Sequence, residues 1–217
     1  MSLQESQTEA QIFKPQYPIT AIILAAGLSR RMGERNKLLL PIGGQTLIEK
    51  TVNTILQSNA EEIIVVVGHE SVKLLHILKE KPVKMIKNPL YSLGMTTSIQ
   101  AGVRSASKDS QGYMIVLGDL VHIQAKELDL LMHTFQNILE EENDSTPIVV
   151  PVFEGKRGNP ILFHHHFREA ILQHSDMNGC KGIIDTNSDC VVTVEMSSNH
   201  VLKDIDTPED YDSVVGN

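Results

Sequence analysis

Short apolar runs alternate with longer amphipathic stretches along most of this chain. Six runs are rich in Val, Ile, Leu and Met and are bounded by turn residues, which is typical of buried strands: residues 18–24, 62–67, 83–86, 113–117, 147–150 and 190–194. Between and after them, apolar residues recur every three or four positions, which predicts helices at residues 46–57, 71–79, 96–107, 124–142, 163–174 and 207–215. The alternation predicts an α/β fold with three layers, α/β/α and Rossmann-like, around a mostly parallel sheet.

Length and composition bound the class of protein. At 217 residues, 41% of them hydrophobic, the chain can bury one sizeable core. We predict one domain over residues 18–217, preceded by a polar, flexible lead-in over residues 1–17. No apolar stretch approaches the roughly 18 residues that a membrane span needs, and the polar start does not resemble a secretory signal. We therefore expect a cytoplasmic protein without a membrane partner.

Charge changes this picture at one place. The formal net charge of −8 argues against a nucleic-acid partner, yet residues 29–37 carry four basic residues and one acidic residue. This basic loop follows the first strand through the small residues Ala25, Ala26 and Gly27, which let backbone N–H groups approach phosphate oxygens. Neither GxxxxGK[ST] nor GxGxxG occurs there. The loop predicts a triphosphate site, and a turn with solvated arginines is the alternative.

Two later segments contain candidate metal-binding carboxylates. Asp119 comes two residues after Leu117, where a predicted strand ends, so it is expected at the same sheet edge as the basic loop. Mg²⁺ prefers oxygen ligands beside bound phosphates, and Asp206 could supply a second one. Asp204 and Asp206 lie on the same side of an extended chain. The alternatives are a helix cap at Asp119 and a helix start after Asp206, and the latter is compatible with metal binding.

The segment at residues 88–98 is rich in turn residues and leads into a helix. The N–H groups and hydroxyls at such a helix start can contact a nucleobase or a phosphate. Taken alone, this segment is a weak signal, and an ordinary loop is the favoured interpretation.

Together, these segments resemble the molybdopterin-type nucleotidyltransferases, and especially the molybdenum cofactor cytidylyltransferases. The resemblance covers residues 19–211 and is carried by six ordered motifs: LAAGLSRRMG at 24–33, NKLLLP at 36–41, NPLYSLGMTTSIQAG at 88–102, LGD at 117–119, RGNPILF at 157–163 and DIDTPEDY at 204–211. It implies a nucleotidyltransferase fold of the nucleotide-diphospho-sugar-transferase type. It also implies that Arg31, Lys37 and Asp119 are catalytic and that Asp119 and Asp206 bind Mg²⁺. The implied nucleotide-binding residues are Leu24, Ala25, Ala26, Gly27, Arg31, Lys37, Gly94, Ser98 and Gly118.

The same resemblance implies transfer of CMP from CTP to the phosphate of molybdopterin or molybdenum cofactor, with release of pyrophosphate. CTP is preferred to GTP because guanylyl-transferring relatives typically read LAGG where this chain reads LAAG at residues 24–27. The acceptor is expected near Arg157, Gly158 and Asn159, although relatives commonly have histidine in place of Asn159. Val121 likewise stands where relatives have proline, so the acceptor is less well defined than the nucleotide.

Three consecutive histidines, His164 to His166, adjoin this acceptor segment. Neighbouring side chains point in different directions on a helix or a strand, so at most some of them could face one metal ion. We predict a partly exposed helix start there. The two cysteines, Cys180 and Cys190, are too few and too irregularly placed for a disulfide framework or a zinc site.

Two other functions remain open from the sequence. One is a nucleotidyltransferase of the same fold that uses GTP or another phosphorylated acceptor, such as a sugar phosphate or methylerythritol phosphate. The other is a catalytically silent protein that binds nucleotide or cofactor and delivers it, with transient contact to a molybdoenzyme or its maturation factor. A dinucleotide-dependent oxidoreductase is disfavoured because GxGxxG is absent.

Overall fold

A computed structural model describes residues 16–33, 35–142 and 144–215, so residues 1–15 of the predicted lead-in lie outside the described part. The predicted alternation of strands and helices is confirmed. The strands are β1 Ile19–Ala25, β2 Pro41–Ile42, β3 Gln45–Thr46, β4 Glu62–Val67, β5 Lys84–Lys87, β6 Gly112–Leu117, β7 Ile148–Phe153, β8 Lys156–Arg157, β9 Ile161–His164 and β10 Val191–Glu195. The helices are α1 Leu47–Leu56, α2 Ser71–Leu78, α3 Met95–Ser105, α4 Ala125–Glu141, α5 Arg168–Gln173, α6 Lys181–Thr186 and α7 Pro208–Val215.

The main sheet is mostly parallel, as predicted. Its strand order is β10-β7-β9-β6-β1-β4-β5, with β8 paired to β7, while β2 and β3 form a separate antiparallel ribbon. Strand β1 pairs in parallel with both β4 and β6, in a register that places Leu24 beside Leu117 and Ala25 beside Val67. The carboxyl ends of these three strands therefore meet at one edge of the sheet.

The side chains of β1 divide between the two faces of the sheet. Ala21 and Ile23 belong to an apolar core that also contains residues of α1, α2 and α4. Ile22 points the other way, into a second core with residues of α3, α5 and α6. Because strand side chains alternate, one continuous apolar run serves both cores. The predicted three-layer architecture is confirmed.

No helix in the described ranges is long and apolar enough to cross a membrane. The longest of those helices, α4, has 17 residues. Its buried positions, among them Leu128, Leu131 and Phe135, recur at helical spacing and pack on the sheet.

The helix predicted over residues 163–174 is wrong in its first part. Residues 161–164 form strand β9, which is antiparallel to both β6 and β7, and α5 begins only at Arg168. Leu162 and Phe163 are both buried, but in opposite cores, so the local period is two residues. A short apolar run next to a helix is ambiguous by periodicity alone.

The correction also moves the three histidines. His164 is the buried last residue of β9, and burial, with smaller contributions from His165 and His166, lowers its pKa to about 4. His165 and His166 are exposed in a short 3₁₀ helix, His165–Phe167, which leads directly into α5, so the predicted partly exposed helix start fits these two residues and is wrong for His164. None of the three belongs to a cluster of potential metal ligands among the described residues.

Candidate active site

A cavity of about 690 Å³ opens at the sheet edge where β1 and β6 end. Five segments form its walls: the loop after β1 through Leu38, the start of α3 with the turn before it, the end of β6 with Asp119, residues 177 and 178, and the chain before α7. Its lining includes Leu24, Ala26, Gly27, Leu28, Ser29, Arg30, Arg31, Lys37, Leu38, Tyr91, Ser92, Leu93, Gly94, Met95, Ser98, Leu117, Asp119, Met177, Asn178, Asp204 and Asp206. Ligands of open α/β sheets bind at this type of edge.

Two cations and two carboxylates meet in this cavity. The Lys37 ammonium forms ion pairs with both Asp119 and Asp206, the latter with Nζ 2.8 Å from Oδ1. A nitrogen of the Arg31 guanidinium lies 2.6 Å from Oδ2 of Asp206. Asp206 therefore bridges Lys37 and Arg31, while Lys37 bridges the two acids. Residues that are 175 positions apart in the chain come into direct contact here.

Burial and charge act against each other in this cluster. Burial raises the pKa of Asp119 despite the opposing Lys37 ammonium. Burial also disfavours the Lys37 ammonium, but Asp119 and Asp206 outweigh it and raise the pKa of Lys37. At the more exposed Asp206, the partial burial is outweighed by Lys37 and Arg31, which lower its pKa. The lysine is thus held in its charged form in the cavity.

Local hydrogen bonds orient the basic loop. Ser29 has a left-handed backbone with φ of +49°, and its Oγ accepts a hydrogen bond from the Lys37 backbone N–H at 3.1 Å. The Asn36 side chain accepts one from the Leu38 N–H at 3.1 Å and caps the 3₁₀ helix Lys37–Leu39. These bonds fix the backbone from which the Lys37 side chain reaches Asp119. No sequence pattern indicates this role of Ser29, because a left-handed backbone conformation at a serine has no characteristic sequence signature.

A third carboxylate joins the two predicted ones. Ligand oxygens of Asp119, Asp204 and Asp206 all lie within 4.8 Å of one another. The intervening Ile205 is buried in a small apolar cluster that includes Val121, so the two acids beside it project to the same side. Three carboxylates at this spacing suit a hard divalent cation such as Mg²⁺. Asp204 was visible in the sequence as the partner of Asp206, but nothing there brought it to Asp119.

The helix-start interpretation of this segment is also confirmed. Asp210 accepts hydrogen bonds from the backbone N–H groups of Asp206 and Thr207, at 3.0 and 2.8 Å, and α7 begins at Pro208. The cap holds the backbone of Asp206 while its carboxylate faces Lys37. The same segment therefore starts a helix and presents a carboxylate to the cavity.

The start of α3 contacts a distant loop. The Met95 N–H donates to the Met177 carbonyl at 2.9 Å, and the Gly179 N–H donates to the Thr96 hydroxyl at 3.1 Å. Gly94 has a φ of +116°, and a Cβ placed there would lie 2.6 Å from the Met177 carbonyl oxygen. Residues 177 and 178 thereby join the cavity wall.

The Gly94 contact gives a testable result. Gly94→Ala is expected to lower the free energy of unfolding by about 1–3 kcal/mol, because the new methyl group meets the Met177 carbonyl at a strained backbone position. Gly155→Ala is the matched control, since Gly155 has a φ of +74° and a methyl group there would meet nothing within 4 Å. Urea unfolding of both variants measures the difference. Equal losses would contradict a role for the contact with Met177.

Most predicted site residues lie together in the cavity, and five do not line it. Those that line it are Leu24, Ala26, Gly27, Arg31, Lys37, Gly94, Ser98, Asp119 and Asp206. Ala25 is turned into the core, and Gly118 packs under Leu24, whose carbonyl oxygen would lie 2.8 Å from a Cβ at position 118.

The other three are the predicted acceptor residues. Arg157 lies on β8, beside Val152 near the carboxyl end of β7, and pairs with Asp185 at 3.4 Å. Gly158 packs against Val201, and the Asn159 N–H donates to the Val201 carbonyl at 2.8 Å. This segment is at the same sheet edge but outside the cavity, and its acceptor role stays a prediction.

Comparison with known proteins places the chain in a family. A profile of the MobA-like NTP transferase domain matches residues 21–191. The molybdenum cofactor cytidylyltransferase of Escherichia coli is 27% identical over 89% of this chain and 93% of its own length. The nicotine blue oxidoreductase of Paenarthrobacter nicotinovorans is 26% identical over 88% of this chain and 93% of its own length.

Solved structures share the fold at lower identity. A nucleotidyl transferase from Methanothermobacter superposes with a TM-score of 0.77 and 22% identity, covering 92% of this chain and 96% of that one. The Mycobacterium tuberculosis protein Rv0371c, in complex with manganese, gives a TM-score of 0.72 and 18% identity, covering 92% and 99%. The fold is that of nucleotide-diphospho-sugar transferases, and the chain belongs to the MobA-like NTP transferase domain family, as a nucleotidyltransferase.

Proposed function

We propose that this nucleotidyltransferase transfers CMP from CTP to the terminal phosphate of molybdopterin or molybdenum cofactor, with help from Mg²⁺. The observation that carries the proposal is the convergence of Lys37 and Arg31 with three carboxylates at one cavity. Cations are needed there for a triphosphate, and carboxylates for the metal that accompanies it. The cytidylyltransferase name of the Escherichia coli relative supports the choice of base and acceptor.

The reaction requires positioning and charge stabilisation. An oxygen of the acceptor phosphate attacks the α-phosphorus of CTP, a new P–O bond forms, and the bond between the α-phosphorus and its bridging oxygen to the β-phosphate breaks. Pyrophosphate leaves with the electron pair. The acceptor phosphate is already anionic near pH 7, so no general base is required. Lys37 and Arg31 would hold the β- and γ-phosphates and stabilise the charge that develops on them.

Asp119, Asp204 and Asp206 would hold the metal. Their three carboxylates provide the oxygen donors that Mg²⁺ or Mn²⁺ prefers. Bound there, the ion would neutralise phosphate charge. The manganese complex of the Mycobacterium tuberculosis structure is consistent with a divalent cation in this fold.

The choice of CTP over GTP is expected to depend on Ala26. Its methyl group is buried, and a Cβ added at position 68 would lie 2.9 Å from it and 2.5 Å from the Cβ of Tyr91, so Ala26, Gly68 and Tyr91 pack closely together. Ala26→Gly removes a methyl group and so enlarges the space for the base. We expect the ratio of kcat/KM for CTP to kcat/KM for GTP to fall by about tenfold, which is typical of one methyl group in a pocket.

Steady-state kinetics with both nucleotides measures this ratio. Ala125→Gly, at the first position of α4 and away from the cavity, is the control for a lost methyl group. A ratio that stays at the wild-type value in the Ala26 variant would remove Ala26 from base selection.

Pyrophosphate release tests the proposed function itself. The protein is incubated with Mg²⁺, with CTP or GTP, and with molybdopterin, a sugar phosphate or methylerythritol phosphate. We expect pyrophosphate only with CTP and molybdopterin. Release with another pair would assign a different nucleotide or acceptor to the same fold. Tight CTP binding without pyrophosphate release under every condition would favour the catalytically silent carrier. NADH oxidation is measured in parallel, because one relative is named an oxidoreductase.

A further inference from the structure

Glu127 is a buried carboxylate near the start of α4 that contacts two distant parts of the chain. It is 5% exposed and does not line the cavity. Its Oε2 accepts a hydrogen bond from the Gln124 N–H at 2.8 Å, and its Oε1 accepts one from the Ser198 hydroxyl at 2.6 Å. The Nδ1 of His200 lies 3.1 Å from Oε2, within hydrogen-bond distance. One side chain therefore connects the start of α4 to residues 71 and 73 positions away.

The two connected segments carry the candidate metal ligands. Gln124 ends the loop that follows β6 and lies five positions after Asp119. His200 lies four positions before Asp204, in the chain that leads to α7. Because both spans are short, a shift of one segment against the other at Glu127 would move Asp119 relative to Asp204.

Charge repulsion opposes the close approach of these segments. Ligand oxygens of Asp119, Asp204 and Asp206 lie within 4.8 Å of one another, and like charges at this spacing repel. Burial is the main cause of the raised pKa of Asp119, and the Asp204 carboxylate adds to it. Lys37 offsets the repulsion within the cavity. The hydrogen bonds of Glu127 hold the same two segments together from outside it.

A second glutamate shows what a helix cap alone requires. Glu49 lies at the matching position of α1, and its carboxylate accepts hydrogen bonds from the N–H and the hydroxyl of Thr46, both at 2.8 Å. These contacts lie within three residues of chain. Glu127 makes the matching local contact with the Gln124 N–H and also accepts from Ser198. The additional donors go beyond a helix cap, and they are the ones that connect the two carboxylate segments.

We propose that Glu127 is a positioning residue for the metal site, which sets the spacing of the three carboxylates by holding the segment after β6 against the segment before α7. A buried carboxylate suits this position because it accepts several hydrogen bonds at once. A glutamine would present N–H groups to donors that already point at it. Loss of the connection lowers the fraction of molecules with correctly spaced carboxylates, and metal affinity falls in proportion. This inference rests on the proposed function, because it concerns the metal site of that reaction.

Manganese binding tests this role without turnover. The EPR signal of free Mn²⁺ is followed as protein is added, without nucleotide. We expect Glu127→Gln to raise the Mn²⁺ Kd roughly tenfold, as for residues that orient metal ligands. Ser198→Ala removes one donor and is expected to raise it about threefold, whereas Ser198→Thr keeps the hydroxyl and the wild-type Kd. Glu49→Gln is the matched control, since it makes the same substitution in the cap of α1 and is expected to leave the Kd unchanged.

Metal-dependent activity separates positioning from a general loss of structure. In Glu127→Gln, the Mg²⁺ concentration for half-maximal pyrophosphate release is expected to rise about tenfold, while kcat at saturating Mg²⁺ stays within about twofold of wild type. Circular dichroism checks folding, and the two Ser198 variants decide the question if Glu127→Gln does not fold.

Three results would overturn the inference: an unchanged Mn²⁺ Kd in folded Glu127→Gln, an equal rise in Glu49→Gln, or a wild-type protein that binds no Mn²⁺. Where Ser198→Ala decides, an unchanged Kd in that variant has the same meaning. Failure of the proposed function has a different signature, because wild-type pyrophosphate release is then absent while the Mn²⁺ titrations still distinguish the variants.

Discussion

Lys37→Ala is expected to lower kcat by roughly two to three orders of magnitude, by analogy with the loss of one preorganised charge-stabilising donor. The Lys37 ammonium is held between Asp119 and Asp206 at the cavity, where a triphosphate would bring three phosphoryl groups. Its removal leaves charge on the departing pyrophosphate without that partner. Pyrophosphate release under saturating CTP and acceptor measures the effect.

A matched lysine provides the control. Lys73 pairs with Glu70 on the surface of α2, so Lys73→Ala is expected to keep wild-type turnover. Circular dichroism checks that both variants are folded, because Lys37→Ala leaves the buried Asp119 without its cation. Wild-type turnover in a folded Lys37→Ala protein would contradict the proposed role of Lys37.

Asp119→Ala is expected to lower metal-dependent pyrophosphate release by on the order of a hundredfold or more. Substitution of a residue that only orients a metal ligand already lowers activity by up to about a hundredfold, and loss of the ligand itself costs at least as much. Asp119 is the buried member of the carboxylate cluster and lies two residues after the end of β6. Titration of activity with Mg²⁺ measures the dependence, and Asp119→Asn repeats the test with nearly the same shape.

Asp212→Ala is the control for a lost carboxylate, since Asp212 is an exposed residue of α7 outside the cavity. We expect its Mg²⁺ titration to match the wild-type curve. An Asp119→Ala protein with an unchanged Mg²⁺ dependence would remove this residue from the metal site.

The fold was predictable where one pattern excluded the others. The continuous apolar run of β1 predicted only a strand, and the long segment of α4 with helical spacing predicted only a helix. Both elements form as expected. The segment that forms β9 was ambiguous, because Leu162 and Phe163 lie next to a helix in the sequence. Only its position between β6 and β7 shows that these two side chains point to opposite faces of the sheet. Antiparallel insertion into a parallel sheet has no local signature in such a short segment.

The site was predictable where its residues lie in recognisable sequence motifs. Lys37, Asp119 and Asp206 each belong to such a motif, and their side chains meet in space. The position of Met177 was not predictable, because this residue reaches the cavity through a main-chain contact with Met95 across more than eighty residues of chain. Such contacts depend on backbone geometry and leave no residue pattern to find.

A crystal structure with CTP and Mg²⁺ would show whether the loop after β1 and the carboxylates after β6 and before α7 form one nucleotidyl-transfer site. We expect the triphosphate to contact Lys37 and Arg31, the metal to bind Asp119 with Asp204 or Asp206, and the cytosine to lie beside Ala26 and Ser98. A structure with CTP bound outside this cavity, or with the triphosphate away from Lys37 and the metal away from all three carboxylates, would contradict this expectation.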